Sequence, residues 1–197
     1  MKKFIKEWGP FTLLLTVIVL LRLFIFIPVE VDGHSMDPTL AEGDRLIMVT
    51  TAKIQRFDIV VADETEEGET KQVVKRVIGM PGDTVSYTND VLTINGKEVD
   101  EAYLDDYKEK FAQDKLQNTY SYNVLFQELA AQAEAFTTDA DGQTDFTVQV
   151  PEGQYYLLGD DRIVSKDSRE VGTFAKSAIA GEVKFRFWPL TNIGIIS

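Results

Sequence analysis

The first thirty residues are patterned unlike the rest of the chain. From Phe11 to Val29 the sequence reads FTLLLTVIVLLRLFIFIPV, apolar at most positions and charged only at Arg22. About 19 such residues suffice to span the hydrocarbon of a bilayer. Arg22 lies near the outer end, where its long stem can reach the interface. Lys2, Lys3 and Lys6 precede the run and predict a cytoplasmic N-terminus (1–10), a transmembrane anchor (11–28) and an extracytoplasmic remainder. A cleavable secretory signal is the rival reading. Its apolar region would be shorter and followed by small residues, whereas Pro28-Val29-Glu30-Val31-Asp32 follows here.

After the anchor the period shortens to two. Residues 29–32 alternate Val-Glu-Val-Asp, the mark of a strand with one buried face. Further strands are predicted at Arg45–Thr50, Asp58–Ala62, Gln72–Ile78, Thr84–Tyr87, Val91–Ile94, Phe146–Val150, Gln154–Leu158 and Glu182–Phe187. Asp63–Thr70 reads as an acidic loop, and Asn95-Gly96 as a hairpin turn. Between 101 and 136 the character changes. Leu125, Leu129, Ala133 and Phe136 recur at helical spacing and predict a surface helix packed by that stripe against a sheet. The pattern as a whole predicts a mostly-β fold. Residues 29–83 and 151–197 form its core, and 84–150 form an α/β insertion.

Composition narrows the function. The net charge of −12 excludes nucleic acid as a partner, since that needs a basic face. Cysteine is absent, which removes disulfides, thiolate nucleophiles and cysteine-based zinc sites. The single histidine, His34, stands next to Ser35. Neighbouring side chains on an extended segment point opposite ways, so its ring faces away from the hydroxyl and a Ser-His-Asp triad is excluded.

Three segments can carry chemistry. Gly33-His34-Ser35-Met36-Asp37-Pro38-Thr39 places a serine in a turn just beyond the anchor. Val74-Lys75-Arg76-Val77-Ile78-Gly79 places a lysine inside an apolar strand, where burial would depress its pKa and fit it as a base for a serine nucleophile. The ordinary alternatives are a turn-forming serine and an edge lysine that guards against aggregation. The third segment, Gly159-Asp160 through Gly172, is dense in acids, arginines and hydroxyls. Every acid there has a basic residue close by, so it reads as an ion-paired loop rather than a metal site. No cofactor is expected.

Together these segments resemble the bacterial type I signal peptidases, of the short, single-anchor kind found in Gram-positive bacteria. The resemblance spans the whole chain: the anchor, Ser35–Thr39, Gly43-Asp44, Lys75 through Asp83, and Gly159-Asp160 through Gly172. It implies Ser35 as nucleophile, Lys75 as general base, and Ser165 as a hydroxyl that orients the lysine. It further implies an Asp167–Arg169 ion pair in the loop and an Asp160–Arg76 pair. The implied substrate pockets fall on Val29, Val31, Met36, Leu40, Leu46 and Val74. This chain has Asp161 and Val164 where the family usually has asparagine, and Gly33 where Gram-negative members carry a hydroxyl.

The implied activity is endoproteolysis of secretory preproteins, at the phospholipid membrane and by a monomer, releasing signal peptides after small residues. Two other readings use the same residues. A self-cleaving Ser-Lys repressor would need a DNA-binding segment in place of the anchor. A non-enzymatic adaptor built on a decayed peptidase would not need both Ser35 and Lys75.

Overall fold

Antiparallel pairing organises the chain into two sheets. The computed structural model describes residues 2–66 and 68–196. It opens with helix α1 (Lys2–Phe24) and passes directly into strand β1 (Phe26–Glu30). The strands that follow are β2 (Arg45–Val49), β3 (Ile59–Glu66), β4 (Glu69–Gly79), β5 (Thr84–Thr88), β6 (Val91–Ile94) and β7 (Lys97–Val99). Helices α2 (Asp105–Asp114) and α3 (Val124–Gln132) come next, then β8 (Asp145–Gln149), β9 (Gln154–Leu158) and the one-turn α4 (Ser168–Val171). The chain closes with β10 (Phe174–Ala175), β11 (Ile179–Trp188) and β12 (Gly194–Ile195).

The larger sheet runs β1-β2-β11-β3-β4-β9-β10, with β12 on β11, and the smaller runs β7-β6-β5-β8. The fold is thus mostly β. The larger sheet takes its strands from the two ends of the chain and the smaller from the middle. They meet at Gly79, where an added Cβ would overlap Val85, Val150 and Tyr156. That close approach leaves room for glycine alone.

Three expectations are corrected. The predicted anchor does not run to residue 28. Phe26, Ile27 and Pro28 pair with Val49, Met48 and Ile47, because extending the sheet satisfies their backbone as well as a helix would. The apolar stretch left in α1, Phe11–Phe24, is about 21 Å long at 1.5 Å per residue. Among the described residues no helix is long and apolar enough to cross a membrane.

The acidic segment 63–70 is no loop but the end of the β3–β4 hairpin. Two of its acids meet cross-strand partners, Lys71 Nζ with Glu64 Oε1 at 2.9 Å and Gln72 Nε2 donating to Asp63 Oδ1 at 3.2 Å. Nor does α3 bury its predicted stripe. Ala130 and Phe136 are interior while Leu125 is 58% exposed and Leu129 41%. The helix starts at Asn123, whose side chain accepts from the Leu125 and Phe126 amides. Ending at Gln132, it leaves Ala133 and Phe136 outside the helical period.

Candidate active site

The site is built where β4 meets β9. Pairing of Arg76 with Leu158 and Val77 with Leu157 brings Lys75 and Arg76 beside the loop that leaves β9 at Gly159. Arg76 donates to both oxygens of Asp160, Nε to Oδ1 at 2.8 Å and Nη2 to Oδ2 at 2.7 Å, with both side chains buried. Asp160 Oδ2 also accepts from Thr39 Oγ1 at 2.5 Å. One carboxylate therefore holds the turn that carries Ser35 against strand β4. The Asp161 amide adds a second tie by donating to the Ser35 carbonyl at 3.1 Å.

Gly159 is the common neighbour of the candidate residues. A Cβ there would overlap both the Ser35 carbonyl and Ser165 Oγ, so only glycine lets the two serines approach. Its amide donates to Asp167 Oδ2 at 3.0 Å. Asp167 in turn accepts a bidentate pair from Arg169, both bonds at 2.8 Å. Burial opposes the Asp167 charge, but Arg169 and the Gly159 amide outweigh it and hold the carboxyl below its usual range. Arg169 also donates to the carbonyls of Arg162 (2.8 Å) and Ser165 (3.1 Å), which makes it the organiser of the loop.

Lys75 is 3% exposed, and among the described residues its ammonium forms no hydrogen bond or ion pair. Burial pulls its pKa down to about 8, against a smaller upward pull from Asp167 and Glu64. At pH 7 about a tenth of the lysine is then neutral, against well under a thousandth for a free one. No hydrogen bond joins Ser35 Oγ to Lys75 Nζ among the described residues. Hydrogen bonds between catalytic groups are often long before substrate binds. The Ser165 hydroxyl likewise makes no bond to Lys75, and its one donated contact is a weak 3.5 Å to the Lys166 carbonyl.

His34 is fully engaged elsewhere. Its Nδ1 lies 3.0 Å from Asp37 Oδ2 and its Nε2 3.5 Å from Glu42 Oε2. Its ring packs on Tyr122 and Phe126 at centroid distances of 5.1 and 5.7 Å.

The expected pocket wall is mostly interior. Val31, Met36, Leu40 and Leu46 belong to a core cluster with Met48, Ile59, Val61 and Val183; only Val29 and Val74 pack at its edge with surface exposed. The apolar faces of adjacent strands close on one another, so four of the six residues are core side chains.

Sequence reasoning gave Thr39 no role of its own and missed Tyr120 and the buried Arg162–Glu101 pair, 2.5 Å apart, which ties the loop to the inserted segment. The unassigned charge of Arg162 was the only signal; its partner lies 61 residues away. Among the described residues no group of three or more His, Cys, Asp or Glu is placed to hold a metal ion.

A buried lysine without a partner, a serine turn gripped by the same loop, and a mostly-β frame define a serine hydrolase of the Ser-Lys type. Comparison with known proteins places it. Residues 5–188 match the family model described as signal peptidase, peptidase S26. A signal peptidase I of Streptococcus pneumoniae R6 is 56% identical over 98% of this chain and 97% of its own. Signal peptidase I S of Bacillus subtilis 168 is 40% identical over 98% and 94%. A crystal structure of a signal peptidase I from Enterococcus faecalis V583 is 34% identical, covering 66% of this chain and 97% of its own at a TM-score of 0.48. The chain belongs to the signal peptidase family, peptidase S26.

Proposed function

We propose that this chain is a membrane-anchored endopeptidase that removes signal peptides from secretory preproteins with a Ser35–Lys75 dyad. The observation that carries the reading is Lys75, a buried side chain whose ammonium has no partner among the described residues and whose pKa burial brings down to about 8, beside the loop that grips Ser35. Neutral Lys75 takes the proton of Ser35, the hydroxyl oxygen attacks the scissile carbonyl, and Lys75 returns the proton to the leaving amine. Water, activated by the same lysine, then releases the acyl group. The Ser35 amide is positioned to donate to the developing oxyanion. Asp160, Asp167, Arg169 and Arg76 hold the loop, while Ser165 supplies a hydroxyl to steady the ammonium. Every group comes from one chain, so a monomer suffices.

The preprotein lies extended against the edge formed by Val29 and Val74, and limited space there selects small residues before the cut. Membrane placement is supported by apolar surface. Leu13, Leu14, Ile18, Leu21 and Leu23 are exposed on α1, and Trp188, Leu190, Ile193 and Ile195 on the β11–β12 turn. Arg22 shares a depression with Pro28, Val29 and Phe187, which brings the end of the helix to the end of β11. A bilayer covers such a surface.

The test is cleavage of a preprotein by the purified full chain, with Ser35→Ala alongside and the product ends read by mass spectrometry. Cleavage after a small residue, lost in Ser35→Ala, is the expected result. Flotation of the full chain with liposomes, lost when residues 2–24 are removed, checks the anchor.

A further inference from the structure

The loop leaving β9 carries one acid that the dyad does not use. Asp161 is wholly buried, and each of its polar groups has a distinct position. Its amide donates to the Ser35 carbonyl at 3.1 Å, and its carbonyl accepts from the Ser165 amide at 3.0 Å. Its Oδ1 accepts from Tyr120 Oη at 2.5 Å. Its Oδ2 is buried with no hydrogen-bond partner among the described residues. Tyr120 belongs to the connection between α2 and α3, whose Tyr122 also packs on His34. The inserted segment therefore reaches the nucleophile turn from two directions.

We infer that Asp161, clamped by Tyr120, is a positioning residue for Ser35 and works in its protonated form. This rests on Ser35 being the nucleophile, as proposed above. The groups that face the carboxyl are Tyr107 of α2, Tyr120 and Tyr122 of the connection, and Asp37 of the nucleophile turn. None is a cation, and Asp37 adds like charge, with His34 already engaged by Asp37 and Glu42. Burial holds Asp161 up at about 7, against weaker downward pulls from Tyr120 and from the Ile163 and Val164 amides. Protonated, the acid is neutral and the loop keeps its grip on the Ser35 carbonyl. Ionised, it places a buried anion with no facing cation behind the nucleophile, which is costly at such a site. The loop relieves that cost by moving, and the Ser35 hydroxyl moves with it.

The experiment is the pH dependence of preprotein cleavage from pH 5 to 10 by the full-length chain. Wild type is compared with Asp161→Asn, Asp161→Ala and Tyr120→Phe. Wild type should rise in acid and fall in alkali. Asp161→Asn keeps the acceptor for Tyr120 but cannot ionise; it should lack the alkaline fall and exceed wild type by roughly tenfold or more at pH 9. Tyr120→Phe withdraws a hydrogen bond that favours the anion, so its alkaline fall should move to higher pH. Asp161→Ala should lose roughly tenfold or more in kcat with KM little changed.

Superimposable profiles for wild type and Asp161→Asn, or an unchanged kcat in Asp161→Ala, would overturn the inference while leaving the dyad intact. Should Asp161→Ala fail to fold, the other two variants decide. A wild-type chain that cleaves no preprotein overturns the proposed function and this inference together.

Discussion

Asp160 grips Arg76 through both carboxylate oxygens, at 2.8 and 2.7 Å, while accepting from Thr39. The pair joins β4, which carries Lys75, to the turn that carries Ser35, and both side chains are buried. Removing one partner leaves the other charged and buried. Asp160→Ala should therefore cost about 3–5 kcal/mol in urea denaturation and abolish cleavage. A stability within 1 kcal/mol of wild type would show that the pair does not hold the turn.

With Lys75 as the proposed base, its titration should set the acid side of the rate profile. In the Asp161→Asn background, where it titrates without a second ionisation, the rate should climb tenfold per pH unit and level off near pH 8. The sign follows from the base being active when neutral. A flat rate from pH 5 to 9, with chemistry limiting, would rule out a lysine base.

The same depressed pKa is a burden on folding. Between about pH 8 and the unfolded value of 10.5 the unfolded chain binds more protons than the folded one, so stability rises with pH across that window. Below pH 8 the full penalty of about 3 kcal/mol applies. Lys75→Met should thus abolish cleavage and yet stabilise the domain at neutral pH, by up to that amount. Chemical denaturation at pH 7 checks this, and a destabilised Lys75→Met would mean that the ammonium is a structural group.

The dyad should behave as a unit. Ser35→Ala and Lys75→Ala should each remove measurable cleavage, with the double variant no worse than either. His34→Gln should retain most of kcat because its ring is committed to Asp37, Glu42, Tyr122 and Phe126. A His34 variant as inactive as Lys75→Ala would identify the wrong base.

Specificity should respond at the edge of the wall and not beneath it. Val74→Ala or Val29→Ala should admit a larger residue before the cut. Met36→Ala should instead cost about 2–5 kcal/mol as a core cavity, with cut sites unchanged. Mass spectrometry of products from a preprotein series separates the two.

The sequence by itself determined the local elements and the chemistry-bearing residues. Most strands follow from period-two alternation, which needs only nearest neighbours. Ser35 in a glycine–proline turn and Lys75 in an apolar strand are anomalies that show in the linear chain. The Asp160–Arg76 and Asp167–Arg169 pairs came from resemblance, and the structure places each pair within hydrogen-bonding distance.

Only the tertiary structure decided where α1 ends, because Phe26–Pro28 choose strand over helix when β2 is there to pair with them. It alone decided which face of α3 is covered, and that Met36, Leu40 and Leu46 are core side chains. The Tyr120–Asp161 and Thr39–Asp160 contacts also belong to it, joining residues 41 and 121 positions apart. Alternation specifies a face but not its partner. Burial and long-range hydrogen bonds arise only when distant faces meet, and so the residues that hold the Ser35 turn could not be read one segment at a time.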